Sequence, residues 1–321
     1  MNTPAAAASS PWHRGEVAIQ ERVGIAERMA ELGPRVIRDH LTEQHRAFFP
    51  LLPFIVLGSV DREGRPWATL REGRPGFLHA PDPFRLRVEG SREPDDPAEA
   101  GLADGDGVAV LGIELATRRR NRLNGIVERT GPEGFAIRVE QSFGNCPQYI
   151  HGRQEGPRDG ARAARPRPVL SHRLDPAAQR LVAAADTFFV ASFVEHPGGR
   201  REVDVSHRGG RAGFVRVGAE GSLTVPDYSG NRFFNTLGNL LANPRAGLVF
   251  PDFATGDLLQ MSGRTEIVLD PAEDERIDGA ERLWRFVPER VVFRAGALGL
   301  RFVEPRAASS TAQSDLRPQR M

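Results

Sequence analysis

Apolar residues along this chain fall mostly in short β-branched or aromatic runs, such as "FIVLGSVD" (54–61) and "FFVASFVE" (188–195). Between them lie turns rich in Gly, Pro and Asp: "DREGRP", "HPGGRR", "GAEG" and "RTGPEG". Strands at this spacing predict antiparallel meanders that close into barrels or a sandwich, not βαβ units. Helical periodicity is sparser. Residues 16–32 and 34–48 read as an amphipathic pair broken at Gly33-Pro34. Asp175-Pro176 and Asp270-Pro271 each read as an N-cap followed by a proline in the first turn. In "PDYSGNRFFNTLGNLLANPRAGLVF" (226–250), a turn-rich start runs into a helix carrying Phe233, Phe234, Leu237, Leu240 and Leu241. Asn243-Pro244 stops that helix, and Gly247 to Phe250 reads as a strand.

The same pattern occurs twice. "FIVLGSVD" matches "FFVASFVE" without a gap, and "ATLREGRPGF" (68–77) matches "VSHRGGRAGF" (205–214). "LADGDGVAVLGIELATRRRNRLNG" (102–125) then follows "LANPRAGLVFPDFATGDLLQMSG" (241–263) with one residue gapped. Three matches in one order predict an internal duplication. The fold expected is therefore mainly β with peripheral helices, as two tandem barrels packed face to face into a pseudo-dimer within one polypeptide. The boundaries expected are a helical segment at 1–50, a first barrel at 51–151, a low-complexity linker at 152–170, a second barrel at 171–305 and a disordered tail at 306–321. A groove between the lobes is the natural place for a ligand.

Composition narrows the chemistry. The 43 basic and 42 acidic residues nearly cancel, so no overall field points to nucleic acid or a membrane surface. Every basic residue is arginine, so an anion site must use arginine, backbone N–H groups or a helix start. Cys146 is the sole cysteine, which rules out an intramolecular disulfide and cysteine-based metal centres and fits a reducing compartment. Neither a signal peptide nor a membrane span is recognisable, so a cytoplasmic location is expected.

The strongest candidate chemistry lies in the 226–250 segment. Ser229 and Asn231 offer hydrogen bonds, Gly230 allows close backbone approach and Arg232 can fork two N–H bonds onto phosphate oxygens. Plain helix capping explains the same residues. On the strand 204–210, alternation puts Asp204 and Ser206 on one face and Val205 and His207 on the other. A lone strand histidine is more often structural than catalytic, and no G-x-S-x-G elbow surrounds Ser206. "TRRRNRLNG" (117–125) reads either as a solvated edge strand or as an anion-binding face aimed at the other lobe. Gln260, whose amide can donate and accept at once, suits the edge of a heterocycle or ordinary bonding within the barrel.

Taken together, "SHRGGRAGFV", the 226–263 stretch, "GRPWATL" and "SFGNCPQYI" resemble the pyridoxamine 5'-phosphate oxidase-like FMN-binding split-barrel family, over most of residues 13–305. The resemblance is to large bacterial members, some fused to a ferredoxin-reductase-like module. It implies two split barrels with FMN between them, the phosphate near Ser229, Gly230, Asn231 and Arg232, with Asp227 and Asn235 beside it. It also implies Ser206 along the ribityl chain and Gln260 at the flavin. Where the family usually shows Ser-Arg-Lys, this chain has Ser-Gly-Asn-Arg. The substrate segment of the vitamin-forming oxidase is not recognisable.

The function expected is that of an FMN-dependent oxidoreductase acting on an unknown small molecule; in an electron-transfer role its reductant would come from elsewhere, a separate reductase being one candidate donor. Homodimerisation is left open. The alternatives are a non-catalytic flavin-binding or electron-transfer module and, third, a haem-binding split barrel using His207 or His151. The first copy has the acidic "GSREPDDP" (90–97) near the place of the phosphate segment, so one FMN per chain is expected.

Overall fold

The computed structural model describes residues 10–129, 131, 133–157 and 165–304. Three short helices come first: α1 (Arg14–Arg22), α2 (Ala26–Val36) and α3 (Glu43–Phe48). The first break falls at Gly24, not at Gly33-Pro34. Gly24 takes φ 71°, its N–H reaches the Glu21 carbonyl, and the Ile25 N–H reaches Gln20. This paired C-terminal closure ends α1 in mid-pattern. Pro34 instead sits in the last turn of α2, where its missing N–H no longer stops the helix.

The first lobe is one antiparallel sheet of β1 (Phe54–Val60), β2 (Pro66–Glu72), β3 (Leu78–Asp82), β4 (Arg85–Glu89), β5 (Gly107–Glu114), β6 (Arg119–Glu128) and β7 (Gly134–Gly144). Its strand order is β2-β1-β5-β6-β7-β4-β3. Two short strands follow, β8 (Gln154–Glu155) and β9 (Val169–Ser171), then α4 (Pro176–Ala184) behind its Asp175 cap. The second lobe adds β10 (Thr187–Glu195), β11 (Arg201–Gly209), β12 (Arg216–Val217), β13 (Leu223–Tyr228), α5 (Asn235–Ala242), β14 (Arg245–Pro251), β15 (Leu258–Val268), β16 (Ala280–Arg294) and β17 (Phe302–Val303). Its order, β11-β10-β14-β15-β16-β13-β12, repeats that of the first lobe strand for strand. The duplication is thus a duplication of topology. Where α5 lies in the second lobe, the first has only a 3₁₀ turn at Pro97–Gly101.

Two expectations change. Asp270-Pro271 leads to no α-helix, only a 3₁₀ turn at Glu273–Glu275. The described ends of the linker join the fold, since β8 pairs with β17 and β9 pairs with β16. The tail at 306–321 lies outside the described residues.

Three apolar cores organise the molecule. Ile55, Leu57 and Val110 fill the first lobe, and Phe188, Val190 and Leu248 fill the second. A third core joins them, with Val56, Ala109 and Leu111 meeting Phe189, Ala191, Val205 and Val249. Strands β1 and β10 are therefore buried on both faces, which explains why their sequences run apolar without alternating. The shared seam also corrects the gapless match. Ile55 fills its own lobe as Phe188 does, so these two correspond, one residue off the match of Phe54 to Phe188. The slack lies in the longer β10–β11 hairpin.

Because the seam is one core shared by both lobes, Phe189→Ala should cost about 3–5 kcal/mol. Urea unfolding followed by tryptophan fluorescence should still show one transition, with both lobes lost together. Two separated transitions would contradict a shared core.

Candidate functional site

A cavity of about 110 Å³ opens at the seam, against the start of α5. The second lobe contributes β11 and the segment from Pro226 to Leu237, and the first contributes Arg120, Arg122, Asn145, Gln148 and Tyr149. Ser206, Asp227, Ser229, Gly230, Asn231, Arg232 and Asn235 all line it. Gln260 does not.

The helix begins at Asn235, later than the pattern of Phe233 and Phe234 predicts. Two residues before it are forced into the left-handed region, Arg232 at φ 61° and Phe234 at φ 63°. Such backbone costs about 1–3 kcal/mol per residue and persists only where its surroundings hold it. Here the Asn231 side chain accepts the Phe233 N–H at 3.1 Å, and the Phe233 ring packs 5.0 Å from Trp12. Phe234 gives α5 no side-chain cap. The first N–H groups of α5 therefore keep their capacity for an anion at the cavity.

Charge around the cavity is lopsided. Five arginines line it (120, 122, 208, 232 and 282), against one carboxylate, Asp227. Asp227 is buried and takes Arg208 at 2.8 Å and Arg282 at 2.9 Å, so its role is to hold two guanidinium groups in place. Arg282 also lies over the Phe234 ring at 5.0 Å. Arg122 crosses the seam to pair with Asp204 and donates to Ser206 Oγ at 2.6 Å and Asn235 Oδ1 at 3.2 Å. Burial pushes the Asp204 carboxyl up and the Arg122 guanidinium down, so each charge depends on the other.

Arg120 differs. Among the described residues it pairs with no carboxylate, and its Nε is buried without a hydrogen-bond partner. Burial first, then the neighbouring charge of Arg122, pushes its pKa down to about 10. The group stays charged at neutral pH with no carboxylate among the described residues to balance it, a setting that favours a bound anion.

The remaining candidates divide. The hydroxyl of Ser206 also receives Thr236 Oγ1 at 3.0 Å and donates to Asp204 at 3.1 Å, so it belongs to the seam network. Ser229 accepts the Tyr149 hydroxyl at 3.0 Å through its carbonyl, and the Tyr149 and Tyr228 rings stack at 5.3 Å. His207 lies edge-on to Phe189, and burial, then Arg120, lowers its pKa well below 6.5 and keeps it neutral. Among the described residues no group of three His, Cys, Asp or Glu side chains could hold a metal ion, and no helix is long and apolar enough to cross a membrane.

Gln260 is a correction. Gly125 and Gly263 sit at the same bulge in the two lobes, and a Cβ on either would lie 2.1 Å from a carbonyl oxygen of the neighbouring strand. Counting from these bulges, Gln260 corresponds to Arg122. A pseudo-twofold seam sets each lobe's copy of this strand against the other lobe, so the two residues face opposite sites. Arg122 reaches the cavity. Gln260 reaches the first lobe, where it donates to the Ala68 carbonyl and to Asp96, both at 3.0 Å.

Support from α1 is not apparent in the sequence. Glu16 is 3% exposed, accepts the His13 N–H at 3.0 Å and receives the Asn235 amide behind the cavity. Burial first raises its pKa to about 8, with Glu202 and Asp204 adding to the shift. Unfolded, this carboxyl ionises near 4.5. Its contribution to stability is therefore complete below pH 4.5 and is lost as pH rises through about 8. The slope should reach ~1.4 kcal/mol per pH unit. Urea unfolding across that window should show the decline in the natural protein and a flatter profile in Glu16→Gln.

Residues 174–302 match the family model for pyridoxamine 5'-phosphate oxidase. No curated protein matches the chain. Among solved structures, a putative pyridoxamine 5'-phosphate oxidase from Lactobacillus delbrueckii is 20% identical, covering 33% of this chain and 95% of its own, with a TM-score of 0.27. A Clostridium acetobutylicum protein related to general stress protein 26 is 17% identical, covering 40% and 92%, at 0.27. The heme storage protein HutZ from Vibrio cholerae is 16% identical, covering 38% and 95%, at 0.26. Scores this low add no argument to the family match. The pyridoxamine 5'-phosphate oxidase match thus falls on the second lobe, which carries most of the cavity.

Proposed function

We propose that the cavity holds the phosphate of one FMN per chain and that the protein is a flavin-dependent oxidoreductase for a small molecule. The observation that carries this reading is Arg120, a charged and largely enclosed guanidinium with no carboxylate partner among the described residues, beside a helix start without a side-chain cap in the family-matched lobe. Arg208, held by Asp227, and Arg232 add further donors. A phosphate group suits these donors in charge and in hydrogen-bonding capacity.

The fit concerns the phosphate end. At about 110 Å³ the cavity is well below the ~300–1,000 Å³ of ordinary ligand pockets, so a tricyclic ring needs room beyond it. An adjoining hollow of about 590 Å³ shares Tyr149 and is lined by Ile150, His151 and Gly210. FMN, when bound, supplies the hydride or electron chemistry. The chain's own residues bind and orient: Arg120 and the α5 start neutralise the phosphate, and the Tyr149–Ser229 bond ties the first lobe to the rim. No acid or base from the chain is required.

The haem reading has less support. His207 is wedged in the seam core against Phe189, and His151 Nε2 lies 2.7 Å from the Gly210 carbonyl. A flavin-carrying or electron-transfer role differs from the enzyme reading in one respect: bound flavin would not be reduced by NADH or NADPH alone.

Titration with FMN, followed by quenching of flavin fluorescence, should saturate at one equivalent per chain. A charge-assisted hydrogen bond contributes about 1.5–3 kcal/mol, so Arg120→Ala should weaken binding by roughly 10- to 100-fold. Absence of uptake by the natural protein, or unchanged affinity in the variant, would refute the assignment.

A further inference from the structure

We propose that the first lobe contains a second anion site, built on the same plan as the cavity and filled by the chain's own Asp96 carboxylate. The inference rests on the match between the lobes and on a buried network that the function proposed above does not use.

The lobes can be matched residue by residue. The bulges at Gly125 and Gly263 fix Arg122 against Gln260. One strand further, Asn121 pairs with Gly144 and Leu259 with Phe293, which sets Asn145 against Arg294. At the end of β2, Gly73 leaves room for the Phe77 ring as Gly210 does for Phe214, so Thr69 matches Ser206 and Arg71 matches Arg208. Asp96 caps the 3₁₀ turn that stands in the place of α5.

Asp96 is 2% exposed, accepts three hydrogen bonds and pairs with one guanidinium. Thr69 Oγ1 approaches at 2.5 Å, Arg294 at 2.8 Å, Gln260 Nε2 at 3.0 Å and the Ala98 N–H at 3.0 Å. These are the counterparts of Ser206, Asn145, Arg122 and the start of α5. Four of the groups that border the cavity therefore have counterparts here, and here they close on a carboxylate; Arg120 has none, its place being taken by Leu258. The rest of the network balances too. Arg71 bonds Glu99 at 2.9 Å, Arg129 bonds Glu99 at 3.0 Å, and Arg294 also reaches Glu93. A tethered carboxylate acts at an effective concentration that a free ligand cannot match, so no anion enters while Asp96 is present.

The ligand class follows from the donors: a compact oxyanion such as phosphate or sulfate, or a phosphate monoester. Asp96→Ala removes the internal anion and leaves Arg294, Gln260, Thr69 and the Ala98 N–H facing a vacated space. The melting temperature should fall in chloride buffer. Millimolar phosphate or sulfate at equal ionic strength should recover at least half of the loss, a larger anion-dependent shift than the natural protein shows. Calorimetric titration with phosphate should find one more equivalent per chain than in the natural protein. Asp96→Ser also vacates the space and keeps a small hydroxyl that can cap the 3₁₀ turn, so it gives the same reading if the alanine variant does not fold. If neither variant gains an anion-dependent shift beyond that of the natural protein, the proposal is overturned. The outcome is separate from FMN binding, because it concerns the first lobe and would stand whether or not the cavity takes a flavin.

Discussion

The shared apolar seam is the constraint on which everything else depends. Neither β1 nor β10 has a solvent face, so each lobe needs the other to bury one side of its central strands. Bringing the sheets together this way sets β6 of one lobe against β11 of the other, and β15 against β2. The polar groups at the edges of the seam are consequently paired across it. Arg122 with Asp204 and Ser206 on one side, and Gln260 with the Ala68 carbonyl and Asp96 on the other, are the two outcomes of one packing arrangement.

What distinguishes the two sides is where negative charge comes from. On one side Glu93, Asp96 and Glu99 of the first lobe meet Arg71 and Arg129 of that lobe and Arg294 reaching in from the second. On the cavity side, Asp204 and Asp227 answer Arg122, Arg208 and Arg282, while the largely buried Arg120 is left without a carboxylate among the described residues. A buried cation without a partner is costly, and that cost is reduced when an anion binds. The cavity is thus polarised toward a ligand before any ligand arrives.

Much of this could be read from residues alone. Strand runs and turn chemistry gave the β architecture, and the order of three matched segments gave the duplication. The segment at 226–250 was legible as a turn leading into a helix, and a face aimed at the other lobe was one of two readings open for the cluster at 117–125. What could not be read was which partner each residue would meet. Gln260 has the right chemistry for a heterocycle but points to the first lobe, because a pseudo-twofold exchanges sites across the seam. Ile55 and Phe188 correspond only by the face they occupy, which identity between similar apolar letters does not report. The brace of α1 behind Asn235 was hidden for a third reason: Glu16 looks like any first-turn acid until its burial is known.

Joining both halves in one polypeptide has a genetic consequence. When two identical subunits assemble, any substitution appears on both sides at once, so an improvement to one site is imposed on its twin. A tandem chain escapes that symmetry. Thr69 and Ser206, or Gln260 and Arg122, are separate codons and can drift apart. One half is then free to specialise as a scaffold while the other keeps its chemistry.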